Sequence, residues 1–64
     1  MNIQATSFAT RKELDDYIKA TFGDDIAANR EGDNRIVGTT EDLQKLGLSD
    51  RTTVFGIPVV INNN

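Results

Sequence analysis

The run Thr52-Thr53-Val54-Phe55-Gly56-Ile57-Pro58-Val59-Val60-Ile61 is the most apolar stretch of the chain and the feature that most constrains its fold. Side chains alternate across a strand with a period of two. Read as one strand, the run places Phe55, Ile57, Val59 and Ile61 on one face and Val54, Gly56, Pro58 and Val60 on the other. Both sets are apolar, so neither face is an evident wet side. Pro58 donates no backbone N–H, and proline within sheets is confined to edges, strand starts and bulges. The expectation is an edge strand that covers a core with the first set and offers the second for contact.

Whatever packs on that strand must come from a chain of 64 residues, enough for one domain. A domain this small buries only about 60% of the surface its unfolded chain exposes. Disulfides or metals usually support such domains, but the sequence has no cysteine and no histidine. That removes a disulfide framework, a thiolate metal site, the commonest transition-metal ligand and the side chain best suited to proton transfer near neutral pH. Oligomerisation is the remaining support, and a homo-oligomer is expected. Seven basic against ten acidic residues give a net charge of −3. That balance argues against nucleic acid or an anionic membrane as partner, since both need clustered positive charge. No apolar run approaches the length of a membrane span, and the N-terminus has no signal-peptide pattern, so a cytoplasmic protein is expected.

Along the chain, Asn2 to Phe8 reads as a first strand, with Ile3 and Ala5 alternating with Gln4 and Thr6. Thr10-Arg11-Lys12-Glu13 fits a capping box, in which the Thr10 hydroxyl takes the Glu13 amide and the Glu13 carboxylate reaches back to the Thr10 amide. A helix over 11–22 follows. Leu14, Tyr17, Ile18 and Phe22 form one apolar stripe, Asp15 and Lys19 are spaced to pair, and Gly23 ends the helix. Between Asp24 and Gly38, Ile26–Arg30 is a weak strand, Glu31-Gly32-Asp33-Asn34 a turn and Arg35–Gly38 a better strand, which together suggest a hairpin. Thr39 caps a short second helix with Glu41 and Asp42 in its first turn, Leu43 and Leu46 inward, and Gly47 at its end. Leu48 is placed to pack back on Leu43 in a Schellman termination. Residues 1–61 form a single α+β domain, and 62–64 a polar tail.

The order strand, helix, strand, strand, helix, strand resembles the split βαβ pattern of ferredoxin-like domains, βαββαβ, in the order of its elements alone. That resemblance implies two helices on one face of the sheet, an open opposite face and a C-terminal strand at an edge. If Ile26–Arg30 is not a strand, the alternative is a three-stranded sheet with two helices.

Each candidate for chemistry has a plainer structural reading. Val37-Gly38-Thr39-Thr40 is a strand-to-helix turn of the kind that binds anions through free amides. No lysine follows it, and Glu41 and Asp42 already occupy the positive pole, so helix capping is the stronger reading. Asp24, Asp25, Glu31 and Asp33 supply loop carboxylates, but not in the alternating order of a calcium loop. Asp15 with Asp16, and Glu41 with Asp42, fall on wet helix faces where nothing would shift their titration. Arg30, Arg35 and Arg51 could gather at one end of the sheet, but Phe8 and Phe55, the only rings free to stack bases, read as core.

No cofactor and no catalysis are expected. The expected function is a small protein-interaction module, self-associating through the C-terminal strand with Val54, Gly56, Pro58 and Val60 as its contact surface. Its partners would be itself, another protein, or both. Small reading frames of this kind are common in phage and mobile elements, where they encode inhibitors or adaptors of host proteins. The alternative is an acidic regulator or nucleic-acid mimic that meets a basic partner through Asp15, Asp16, Asp24, Asp25, Glu31 and Asp33.

Overall fold

Local capping chemistry sets the helices. In the computed structural model, which describes residues 1–63, helix α1 spans Arg11–Thr21, and the Thr10 hydroxyl accepts the Glu13 amide at 3.3 Å. The Glu13 carboxylate reaches one residue further back than a reciprocal capping box requires and takes the Ala9 amide at 3.0 Å. Gly23, at φ +82°, closes the helix with its amide shared between the Ile18 and Lys19 carbonyls. Leu14 and Ile18 are fully buried, while Tyr17 and Phe22 pack at the margin of the core.

Helix α2 (Ile26–Glu31) replaces the strand expected at Ile26–Arg30. The Asp25 carboxylate accepts the amides of Ala27 and Ala28, so it caps a new helix three residues after Gly23 breaks the first. Alanines at 27 and 28 favour helix over strand. The hairpin expected across 26–38 therefore does not form.

Helix α3 (Thr40–Lys45) has a reciprocal capping box between Thr39 and Asp42. It ends in a Schellman motif: the Leu48 amide donates to the Leu43 carbonyl at 2.8 Å and the Gly47 amide to Gln44 at 2.9 Å, with Gly47 at φ +72°.

Four strands complete a small α+β domain with three α-helices among the described residues. They are β1 (Asn2–Gln4), β2 (Arg35–Gly38), β3 (Thr53–Val54) and β4 (Ile57–Ile61), and a 3-10 turn at Ala5–Ser7 follows β1. The order across the open sheet is β1-β2-β4-β3, with β1, β2 and β4 parallel and β3 antiparallel to β4. The element sequence thus departs from βαββαβ, and the three-stranded alternative has one strand too few.

The C-terminal run is not one strand. Phe55 (φ 49°) and Gly56 (φ 89°) form a two-residue turn with both central residues left-handed, the geometry whose twist suits a hairpin. β4 therefore lies between β2 and β3 rather than at an edge. Pro58 is accommodated because Val59 donates to Thr52 across the hairpin, which turns the Pro58 nitrogen away from β3. That nitrogen faces β2 one residue before the parallel ladder begins at Ile36–Val59.

The core lies between the helices and one sheet face. Ile3, Ile36 and Val59 stand side by side across the three parallel strands, Ile57 and Val54 continue the layer, and Leu14, Ile18 and Leu43 close over it. Gly38, at the end of β2, lets Ala5 approach so closely that a Cβ there would sit 2.8 Å from the Ala5 methyl. The chain beyond β4 remains attached. Asn62 donates to the Gly38 carbonyl at 2.8 Å, and the Asn63 side chain takes the Thr40 amide at 2.9 Å. Asn64, the last residue of the expected tail, lies outside the described residues.

Candidate functional site

The sheet face turned away from the helices is built from the alternate residues of the same strands. Register places Asn2 beside Arg35, Gln4 beside Val37, Val37 beside Val60, and Thr53 beside Pro58. Val37 and Pro58 are half-buried and Val60 is 42% exposed, the most exposed large apolar side chain within a strand. Together they make an apolar strip down the middle of the sheet. Amides of Asn2 and Gln4 and the Arg35 guanidinium border it on the β1 side, and Thr53 borders it on the other.

Val54, Gly56, Pro58 and Val60 do not share this face. The turn at Phe55–Gly56 reverses the chain, so Val54 pairs with Ile57 and points into the core at 1% exposure. Gly56 is buried under α2, where an added Cβ would meet the Ile26 carbonyl. Pro58 and Val60 remain on the open face, and Val37 joins them. Val37 was legible as the neighbour of Ile36 on the opposite side of a strand, but its pairing with Val60 depends on the parallel register, which no local pattern announces.

The turn itself rests on a buried polar contact that the sequence does not reveal. Asn29 on α2 is 5% exposed and donates both hydrogens of its side-chain amide, to the Gly23 carbonyl at 3.0 Å and the Phe55 carbonyl at 2.9 Å. The Lys19 ammonium lies 5.4 Å from the centre of the Phe55 ring, a cation–π contact on the ring's other neighbour, α1. These contacts hold a non-glycine residue in the left-handed region, where the backbone alone disfavours it.

The acidic residues are dispersed over several roles. Asp15 pairs with Arg11 and Asp16 with Lys12, each at 2.8 Å, in place of the expected Asp15–Lys19 pair. The hydrogen bond from Lys12, and then its charge, hold the Asp16 carboxyl below its ordinary pKa, and the same bond and charge raise the Lys12 amine. Asp25 caps α2, Asp24, Glu31 and Asp33 are exposed, and the Asp33 carbonyl accepts the Met1 amino group. Among the described residues no three carboxylates converge to hold a metal ion. The turn at Gly38-Thr39-Thr40 is occupied by the protein itself, because the Thr40 amide is taken by Asn63. Arg35 lies on the open face, Arg30 on α2 and Arg51 before β3, and the strands carry no aromatic residue on which a base could stack. Among the described residues, no helix is long and apolar enough to cross a membrane.

One groove adjoins the open edge of β1. It is about 230 Å³ and is lined by β1 itself with Met1, Ser7, Phe8 and Tyr17. The Phe8 and Tyr17 rings pack 5.4 Å apart along it. No family model matches the chain, and no curated protein or solved structure matches it.

Proposed function

We propose that this protein is a small non-catalytic interaction module whose contact surface is the open sheet face at its C-terminal strand, through which it self-associates. The observation that carries this reading is the exposure of Val60, with Val37 and Pro58 beside it, in the middle of a sheet whose other face packs against the helices. Water around such a strip is released when a second apolar surface meets it. The displaced titrations belong to Lys12 and Asp16, which hold each other on the outside of α1 and lie away from the groove. That supports a structural rather than a catalytic role for them.

Two features favour the apolar face over the carboxylates. Asp15 and Asp16 already have cationic partners and Asp25 is a cap, so half of the acidic set is engaged within the fold. Salt separates the two surfaces, because complexes held by exposed carboxylates weaken as ionic strength rises and apolar ones do not. Light scattering over a concentration series is expected to show a mass that rises with concentration and holds in high salt. Val60→Asp is expected to lower the mass reached at the highest concentrations. A rise unchanged in Val60→Asp would remove the face from consideration.

A further inference from the structure

The open face is too small to hold a stable dimer alone. Four strands about 4.8 Å apart and about 15 Å long present roughly 300 Å². A dimer of standard size buries about 800 Å² on each partner, about a fifth of this chain's 4091 Å². A stable dimer therefore needs a contact other than this face, and the two edges of the sheet differ in their fitness to supply it.

The β3 edge has the features that keep edges from pairing. It is two residues long, Asp50 and Arg51 precede it, and the tight turn at Phe55–Gly56 ends it. The β1 edge has no charged side chain and no proline, and the Met1 ammonium before it is held on the Asp33 carbonyl. The first ten residues of the chain contain no charged side chain at all, although 27% of the sequence is charged. Two chains of net charge −3 can therefore meet here without bringing like charges face to face.

The backbone of β1 is also self-complementary. Arg35 donates its amide to the Met1 carbonyl at 3.0 Å, so the backbone groups of Met1 and Ile3 face β2. Alternation along an extended chain then turns those of Asn2 and Gln4 outward. The Gln4 carbonyl opens the 3-10 turn, yet a carbonyl has two lone pairs and one remains. A two-fold axis through Ile3, perpendicular to the sheet, sets Asn2 of one chain opposite Gln4 of the other. Each Gln4 amide then meets an Asn2 carbonyl, and each Asn2 amide meets the free lone pair of a Gln4 carbonyl.

We infer that a second copy of this chain pairs antiparallel with β1, centred on Ile3, so that two four-stranded sheets become one of eight. The axis brings both helical layers to the same side, where the groove beside Phe8 and Tyr17 is covered by its mate. It also joins the two open faces into one of roughly 600 Å². The edge is a surface separate from the face around Val60, and different variants test them.

Amide hydrogen exchange on the unaltered protein reads the contact directly. Asn2 and Gln4 amides are expected to become protected as concentration rises, in step with the mass. Gln4→Pro provides the second measurement. Gln4 sits at φ −81° and ψ 118°, which proline accepts, and Ile3 before it is already extended. The substitution removes one outward donor from each chain and leaves the β1–β2 ladder intact. It is expected to raise the dimer dissociation constant about tenfold or more, with an unchanged circular dichroism spectrum. The proposal fails if the two amides exchange equally fast at every concentration, if they are protected while the mass stays that of a monomer, or if the chain is monomeric at about 1 mM. A dimer broken by Val60→Asp but unaffected by Gln4→Pro assigns association to the face and overturns the edge.

Discussion

The two faces of one sheet are built from the same strands, residue by residue, and differ in what each residue does. On the covered face Ile3, Ile36, Ile57 and Val59 are all within 3% of complete burial, and they are β-branched side chains locked against the helices. On the open face their immediate neighbours Gln4, Val37, Pro58 and Val60 are half-buried or exposed. The covered face therefore carries stability, and the open face is free to carry recognition. A substitution on one should move the melting transition, and on the other the state of association.

The sharpest way to break this comparison is Ile36→Ala. Ile36 is fully buried at the centre of the covered face, between Ile3 and Val59. Its truncation is expected to cost about 3 kcal/mol or more, a large share of the 5–15 kcal/mol available to a small domain. A urea titration followed by circular dichroism measures it, and a loss below about 1 kcal/mol would mean that the layer is not the core. Asn29→Ala should come next, at about 2 kcal/mol, because it leaves the Gly23 and Phe55 carbonyls without their buried donor. The same titration reads it, and amide exchange around Gly56 should quicken as α2 loosens from the hairpin.

Val60→Asp, the variant that tests the open face, sharpens the contrast from the other side. Its unfolding free energy is expected to change by less than about 1 kcal/mol while association through the face is lost. Smallest of all should be Asp16→Asn, since the Lys12–Asp16 pair is fully solvated. No change in melting temperature beyond the scatter of duplicate scans is expected at neutral pH. The sign of its pH dependence is fixed. Asp16's carboxyl is held low, so what the pair contributes is lost as pH falls below the ordinary carboxylate range. The Lys12 amine is held high, so it is lost again only as pH rises above the ordinary lysine range. A scan of melting temperature against pH on both proteins tests this.

The parts of the fold that could be read from sequence are those fixed by contacts within a few residues. Thr10 and Glu13 mark the start of α1, and Gly23 marks its end. Thr39, Gly47 and Leu48 do the same for α3, and of these six only Glu13 departs from its expected partner, taking the Ala9 amide in place of the Thr10 amide. Helix α2 was hidden because its cap, Asp25, lies in a run of turn-forming residues and its body is only six residues long. The Phe55–Gly56 turn was hidden for the opposite reason. Phenylalanine is not a residue that signals a left-handed turn, so an apolar run with a reversal inside it looks like one long strand. What fixes the reversal is distant in sequence: Asn29 on its carbonyl, Lys19 over its ring and the backbone of Ile26 against Gly56. The reversal divides the expected contact surface in two. Half of its expected residues, Pro58 and Val60, lie on the open face, and the other half, Val54 and Gly56, are interior.

The same turn also bears on the order of assembly. It joins β3 to β4 through two residues, whereas β1 and β2 are joined only after about thirty intervening residues are closed into a loop, at a greater entropic cost. Local pairings of this kind form within microseconds, and non-local parallel ones follow more slowly. By these entropic costs the hairpin is expected to form first and β1 to join last. In that order the strand that completes the sheet is the one whose outer edge carries no guard.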